Sequence, residues 1–146
     1  MCGIVGFTGH QSAKDVLIEG LKRLEYRGYD SAGIALQNAT NEELTVVHRV
    51  GKVAGLAEAV EYLNNANPCG IGHTRWATHG APSERNAHPH TSCDNKIAVV
   101  HNGIIENFAE LREQLEARGH KFRSDTDTEV VSHLIEEAYR GNLRDA

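Results

Sequence analysis

The chain opens on Met1-Cys2-Gly3-Ile4-Val5-Gly6, which places a cysteine directly after the first methionine and at the start of an apolar strand. Cys is a small second residue, so removal of Met1 is chemically reasonable and would leave Cys2 with a free α-amino group beside its own thiol. That amine has a reference pKa of about 7.7–8.0, so near neutral pH a usable fraction can take the thiol proton. A cationic amine beside the sulfur also lowers the thiol pKa. The stretch predicts a nucleophile, with an exposed strand residue as the alternative.

The composition is typical of one globular domain. The 146 residues are 40% hydrophobic and 24% charged, which is enough to bury a core. A net charge of −5 and few aromatic residues argue against a nucleic-acid partner. No apolar run is long enough to span a membrane, and the N-terminus lacks a signal pattern. The odd count of three cysteines, Cys2, Cys69 and Cys93, predicts no disulfide framework and a reducing, cytoplasmic location.

Hydrophobic periodicity predicts an α+β class with a mainly antiparallel sheet. The predicted strands are 3–8, 32–36, 44–48, 69–74 and 96–101, and the predicted helices are 16–24, 53–63, 108–118 and 128–139. Ser12 and Asp15 resemble a capping box ahead of the first helix. The polar stretch 38–43 predicts a hairpin loop, and the stretch 75–95 a long loop of the kind that is usually functional.

Two polar stretches follow these elements. Stretch 24–33 places Arg27 and Asp30 in a tight turn, where an ion pair that fixes the turn is the simplest interpretation. Stretch 73–80 places Arg75 after a buried strand and between hydroxyl side chains. A guanidinium there suits bidentate recognition of a carboxylate, with a loop-anchoring arginine as the alternative.

Two further motifs have both a structural and a chemical interpretation. Asn102-Gly103 at a strand end is most often a turn, but its side-chain amide and backbone N–H could also face a developing oxyanion. Asp127 lies ahead of a helix and is most simply an N-cap. A carboxylate at that position could also hold a substrate ammonium group.

The histidines raise the question of a metal. His79, His88, His90 and Cys93 lie within fifteen positions of one another. Their spacing does not match a structural zinc motif, and the second half of a cysteine pair is missing. We therefore predict no metal and no cofactor, and we assign His88-Pro89-His90 to stiffening the long loop.

Together these stretches resemble the glutaminase domain of the glutamine–fructose-6-phosphate aminotransferases (isomerizing), the glucosamine-6-phosphate synthase family. Related class II glutamine amidotransferases share the Cys-first strand and the Asn-Gly pair. The motif sequences at 26–30 and 75–79 resemble those of the amino-sugar enzymes rather than those of the purine-pathway phosphoribosyl enzymes or the asparagine synthetases. The resemblance covers essentially the whole chain and rests on six motifs in order: Cys2-Gly3-Ile4-Val5-Gly6, Arg27-Gly28-Tyr29-Asp30-Ser31-Ala32-Gly33, His73-Thr74-Arg75-Trp76-Ala77-Thr78-His79-Gly80, Asn86-Ala87-His88-Pro89-His90, His101-Asn102-Gly103-Ile104-Ile105-Glu106-Asn107 and Thr126-Asp127-Thr128-Glu129.

The resemblance implies an N-terminal-nucleophile hydrolase fold, an αββα sandwich. It implies that Cys2 attacks the side-chain amide of L-glutamine and forms a glutamyl thioester, with its own amine as base and then as acid. Asn102 and Gly103 would hold the oxyanion.

The resemblance also implies the substrate-binding set. Arg75 would grip the glutamine α-carboxylate and Asp127 the α-ammonium. Thr78 and His79 would lie close to Arg75. Trp76 and His88 would line the pocket, and Arg27 would brace the loop near Cys2.

Finally, the resemblance sets an expectation about extent. The family's glutaminase domain continues past this length and is followed by sugar-isomerase domains. Residues 2–146 would therefore form a type-2 glutamine amidotransferase domain that is truncated at its C-terminus. The fructose 6-phosphate site and the family's homodimer contacts would be absent. A non-catalytic glutamine-binding remnant of the same family is the alternative.

Overall fold

The strands and helices occur in the order that the sequence predicts. A computed structural model describes residues 1–40, 43–64, 66–76 and 81–146. The strands are β1 (Gly3–Thr8), β2 (Ser31–Gln37), β3 (Leu44–Val50), β4 (Cys69–Arg75), β5 (His90–Thr91) and β6 (Ala98–Val99). The helices are α1 (Ala13–Leu24), which continues as a 3-10 turn at Glu25–Arg27, α2 (Val53–Val60), α3 (Phe108–Ala117) and α4 (Glu129–Ala138).

The main sheet has four antiparallel strands in the order β1-β4-β2-β3. β4 lies between β1 and β2, so Thr74 is opposite Gly3 on one side and Ala32 on the other. β5 and β6 form a second, two-stranded sheet. The residues directly after β4 and directly before β1 are therefore neighbours at one end of the main sheet.

Helices α1 and α2 cover one face of the main sheet. The apolar side chains on one face of α1 pack against the even-numbered side chains of β2. Together with Leu56 of α2 they form a fully buried core: Leu17, Leu21, Ile34, Leu36 and Leu56. Ser12 caps α1 by accepting a hydrogen bond from the backbone N of Asp15 at 3.4 Å, as predicted.

The other face of the main sheet lies across from β6 and α4. A gap of about 720 Å³ lies between them. It is lined by Ala35 and Ile71 on the sheet and by Val99 and Ile135 on the opposite side. Helices α3 and α4 pack on each other, and α4 contacts both β5 and β6. The predicted α+β class, with mainly antiparallel sheets between helices, is confirmed.

Two predicted elements end earlier than expected. Strand 96–101 is reduced to Ala98–Val99 because the backbone N of Ile97 bonds the Ser92 hydroxyl and His101 turns toward Thr128. The helix predicted to reach residue 63 ends at Val60, because the backbone N of Leu63 bonds the Val60 carbonyl in a tight turn.

Asp127 does not cap α4, which corrects the simplest interpretation of that residue. The N-cap position is Thr128, and no side-chain hydrogen bond caps the helix there. Asp127 Oδ2 instead accepts a hydrogen bond from the backbone N of Ile105 at 2.6 Å. The carboxylate thus fixes the loop that follows Gly103.

The predicted hairpin is present and pairs Ser31–Gln37 with Leu44–Val50. Residues 41–42 of its loop lie outside the described residues. Within the described ranges, no helix combines the length and the apolar character needed to cross a membrane.

Candidate active site

The thiol of Cys2 lies at the end of strand β4. The backbone N of Gly3 donates to Thr74 Oγ1 at 3.1 Å, which fixes the chain directly after Cys2. The backbone N of Trp76 donates to Cys2 Sγ at 3.1 Å. The thiol also lies 3.6 Å from the carbonyl oxygen of Trp76, to which it can donate, so both backbone groups of Trp76 hold the sulfur in place.

A cleft of about 300 Å³ opens beside this thiol. It brings together every predicted site residue that the structure describes: Cys2, Arg27, Arg75, Trp76, His88, Asn102, Gly103 and Asp127. The other two predicted residues, Thr78 and His79, lie outside the described residues. Met1, His101, Thr126 and Thr128 also line the cleft, and the sequence analysis assigned none of them a binding or catalytic role.

The side-chain amide of Asn102 is oriented from both ends. Its Oδ1 lies 2.8 Å from His73 Nε2, and its Nδ2 donates to the carbonyl oxygen of Cys2 at 3.2 Å. Burial lowers the pKa of His73 to about 4, so the ring is neutral and has one N–H, which it donates to Asn102. This hydrogen bond turns the Asn102 NH₂ group toward the backbone carbonyl of Cys2.

Sequence reasoning gave His73 no role. A signal was available, since His73 and Arg75 are two positions apart on β4 and side chains at that spacing share a face of a strand. On that face His73 reaches Asn102 and Arg75 reaches the cleft.

Two buried charges of opposite sign border the cleft. Arg75 and Asp127 are each only 3% exposed. Arg75 Nη1 donates to the carbonyl of Ala81 at 3.5 Å, and Asp127 is held by Ile105. A guanidinium fork and a carboxylate, both fixed in place, can bind the two ends of a zwitterionic amino acid.

His88 is buried in a stack of three histidines at one side of the cleft. Its ring centroid lies 4.3 Å from that of His73 and 4.4 Å from that of His90. Desolvation lowers the pKa of His88 far below its usual value, so this ring is neutral as well. Gly33 on β2 is required here, because a Cβ at this position would overlap the His88 carbonyl oxygen.

Arg27 contacts the N-terminus through its backbone. Its carbonyl oxygen accepts a hydrogen bond from the Met1 ammonium at 2.6 Å, and its Nη2 lies 3.9 Å from Met1 Sδ. The Asp30 carboxylate accepts from the Ser31 hydroxyl at 2.9 Å. Both residues therefore help to shape the turn beside the cleft.

Comparison with known sequences shows a consistent relationship. Residues 55–144 match the family model described as a glutamine amidotransferase domain. The whole chain is 64% identical to a glutamine–fructose-6-phosphate aminotransferase [isomerizing] of Thermus thermophilus and 58% identical to one of Pyrococcus horikoshii. The chain spans about a quarter (24%) of the length of these curated relatives.

Comparison with solved structures gives the same fold. The chain matches glutamine phosphoribosylpyrophosphate amidotransferase from B. subtilis with a TM-score of 0.79 and 30% identity, over 99% of this chain and 31% of that one. A second match, described as the allosteric regulatory enzyme of purine biosynthesis, has a TM-score of 0.76 and 31% identity, over 99% of this chain and 31% of that one. The predicted N-terminal-nucleophile hydrolase fold is confirmed by these neighbours.

Proposed function

The chain belongs to the glutamine amidotransferase domain family, and on that premise we propose that Cys2 releases ammonia from L-glutamine through a covalent thioester. The thiolate attacks the side-chain carbonyl carbon, and the C–N bond breaks with a proton passing to the leaving ammonia. Water then hydrolyses the glutamyl thioester to glutamate and returns the thiol.

The single observation that carries this proposal is that the cleft has the parts of the reaction side by side. Cys2 Sγ and the oriented amide of Asn102 both lie there, and Gly103 lines the same cleft. Asn102 Nδ2 and the Gly103 N–H stabilise the negative oxygen of the tetrahedral intermediate.

The buried charges support the choice of substrate. Arg75 binds the α-carboxylate of glutamine and Asp127 its α-ammonium, which leaves the side-chain amide at the thiol. Trp76 and His88 line the pocket, Thr78 and His79 lie near Arg75 in sequence, and Arg27 braces the N-terminal turn.

Removal of Met1 is part of the proposal. The Met1 ammonium is one residue away from the thiol and bonds the Arg27 carbonyl. Its removal makes the Cys2 amine the N-terminus, and that amine serves as base and then as acid. The intact mass measures this step, and a retained Met1 would favour the alternative of a non-catalytic glutamine-binding remnant.

The acceptor of the ammonia is also a proposal. Identity of 64% to an isomerizing glutamine–fructose-6-phosphate aminotransferase supports fructose 6-phosphate as the acceptor and glucosamine 6-phosphate as the product. Because the chain spans a quarter of that relative, we assign the sugar-phosphate site to sequence outside residues 2–146. All three cysteines of this chain are free, which suits a cytoplasmic enzyme.

The test is selective labelling with a glutamine-mimicking electrophile, followed by peptide mapping. We expect the adduct on Cys2, while Cys69 and Cys93 stay largely unmodified although both are also half-buried free thiols. Cys2→Ala should abolish glutamine hydrolysis and leave some glutamine binding. An adduct found mainly on Cys69 or Cys93 would disprove the assignment of the nucleophile.

A further inference from the structure

A second group of reactive side chains lies outside the cleft and has no part in the proposed reaction. Cys93 follows β5, His120 follows α3, and His133 and Glu136 are on α4. One ligand-type atom from each of the four lies within 4.8 Å of all the others. We call this group the 93–136 cluster.

The distances within the 93–136 cluster are close to those of four ligands around one metal ion. Cys93 Sγ lies 3.7 Å from His120 Nδ1 and 3.6 Å from His133 Nδ1, and the two Nδ1 atoms are 3.3 Å apart. Glu136 Oε2 lies 3.1 Å and 3.2 Å from the same two nitrogens. Tetrahedral ligands with Zn–S of about 2.3 Å and Zn–N of about 2.0–2.1 Å are separated by about 3.3–3.6 Å.

The outer nitrogens of both histidines face carboxylates. His120 Nε2 lies 3.2 Å from Glu137 Oε1, and His133 Nε2 lies 3.5 Å from Glu129 Oε1. A neutral imidazole that donates from Nε2 presents a lone pair at Nδ1. In that tautomer both Nδ1 atoms would offer lone pairs next to a carboxylate oxygen and a sulfur, which is an arrangement that a cation stabilises.

The surroundings of the 93–136 cluster resemble those of an established metal site. Carboxylates behind ligating histidines fix the ring orientation and raise the basicity of the ligating nitrogen. The backbone N of Lys121 donates to Cys93 Sγ at 3.4 Å, as it would to a bound thiolate. His133 is 1% exposed, and the side chains of His120 and Glu136 are 12% and 19% exposed, so the centre is shielded from solvent.

From this geometry we propose that Cys93, His120, His133 and Glu136 bind one Zn²⁺ ion in a structural site. One sulfur, two imidazole nitrogens and one carboxylate oxygen in tetrahedral array suit Zn²⁺ better than Mg²⁺ or Ca²⁺, which take oxygen ligands. Four protein ligands fill the coordination sphere and leave no position for substrate. The site is separate from the cleft and independent of the proposed reaction.

The ion would fasten together three segments that are distant in sequence. It would join the turn after β5, the segment after α3 and the central and C-terminal turns of α4. Glu129, which faces His133, also accepts hydrogen bonds from the backbone N atoms of Arg123 and Ser124, each at 2.7 Å. Because the ligands come together only in the folded chain, binding free energy becomes folding free energy.

This proposal departs from the sequence prediction that the chain binds no metal. That prediction considered Cys93 with His79, His88 and His90, which are its neighbours along the chain. In the structure His88 and His90 belong to the stack beside the cleft, whereas the partners of Cys93 come from positions 120 to 136.

The first experiment measures the metal content of the intact protein, purified without a polyhistidine tag from zinc-containing medium. We expect about one zinc per chain from this site, as for a closed structural site. Cys93→Ser should lose that zinc, whereas Cys69→Ser, which changes another half-buried free thiol, should keep it. Wild-type protein without zinc, or equal zinc in both variants, would overturn the proposal.

The second experiment needs no variant that could fail to fold. Wild-type protein loaded with Co²⁺ should show the intense visible bands of tetrahedral coordination and a thiolate-to-metal charge-transfer band. Removing the metal with a chelator should lower the melting temperature, and added Zn²⁺ should restore it. Octahedral Co²⁺ bands, or a melt that a chelator leaves unchanged, would contradict the structural site.

A milder variant tests the carboxylate behind His120. Glu137 is on the surface and does not belong to the four proposed ligands. Glu137→Gln should weaken Zn²⁺ binding by about 10-fold or more, as loss of such a partner typically does. An unchanged affinity in a zinc competition assay would contradict a supporting role of the Glu137 carboxylate behind His120.

Discussion

Substitutions of Asn102 and Arg75 should change different kinetic constants, because the two side chains have different proposed roles. In the proposed reaction Asn102 donates to the developing oxyanion, so Asn102→Ala should lower kcat by about 10²–10³-fold. Arg75→Lys replaces a fork by a point charge and should act mainly through KM, at a cost of about 1.5–3 kcal/mol. Steady-state glutaminase assays measure both, and the reverse pattern would show that the two roles are wrongly assigned.

His73 should behave as a positioning residue for Asn102. His73→Phe keeps an aromatic ring in the stack but removes the hydrogen bond to Asn102 Oδ1. We expect kcat to fall while the KM for glutamine changes little, because His73 does not line the cleft. A defect in KM alone would contradict this role.

Strand β2 illustrates how tightly the elements around the cleft approach one another. At Gly33 an added Cβ would overlap the His88 carbonyl and lie 3.0 Å from the Val47 carbonyl, and both obstacles are backbone atoms. Gly33→Ala should therefore lower the free energy of unfolding by about 1–3 kcal/mol, as overpacking does. Urea unfolding measures the change.

Helix α2 offers the matched control. An added Cβ at Gly55 would meet no atom within 4 Å. Gly55→Ala should raise the free energy of unfolding by about 0.5–1 kcal/mol, because alanine favours the helix. If the two alanine variants had similar stability, close contact at Gly33 would not be the reason for its glycine.

The longer elements could be predicted from the sequence because their patterns are local. Strand β1 was predicted with its observed bounds. The helix predicted at 108–118 is observed at Phe108–Ala117, and Gly119 shortly after it has a φ of +97°. The two-residue strand β5 was missed because so short a strand has no periodicity. Asp127 was misassigned as a cap because its partner, the backbone N of Ile105, is 22 positions away.

The candidate site could likewise be predicted from the sequence only where its residues belong to local motifs. Cys2, Arg75, Asn102 and Asp127 were selected from short motifs, and the structure brings them to one cleft. The link from His73 to Asn102 and the 93–136 cluster depend on contacts between distant segments. Such contacts leave no local pattern in a single sequence.

The molecule as a whole should lose stability in mild acid. His73 and His88 lie between the two sheets with lowered pKa values, about 4 for His73, against about 6.5 in the unfolded chain. Between these values the unfolded chain binds more protons than the folded one, so stability falls as pH falls. Each of these histidines should lower the free energy of unfolding by about 1.4 kcal/mol per pH unit over that window.

The measurement is chemical unfolding at several pH values from 7 down to 4.5. His88→Gln removes one of the histidines with a lowered pKa, which also include His48 and His90, and should make the decline shallower by about one proton. A variant with the same slope as the wild type would show that His88 is not kept neutral by the fold.

The end of strand β4 and the residue after it position the cleft: His73 orients Asn102, Thr74 holds Gly3, Arg75 borders the pocket and the backbone of Trp76 contacts the thiol. Because β4 is an interior strand, bonded to β1 and β2, its amide hydrogens should exchange with solvent only when the whole sheet opens. Deuterium uptake at 69–75 should be slower than at the edge strand 44–50. The catalytic geometry then persists as long as the folded state itself, and thermal inactivation should coincide with global unfolding.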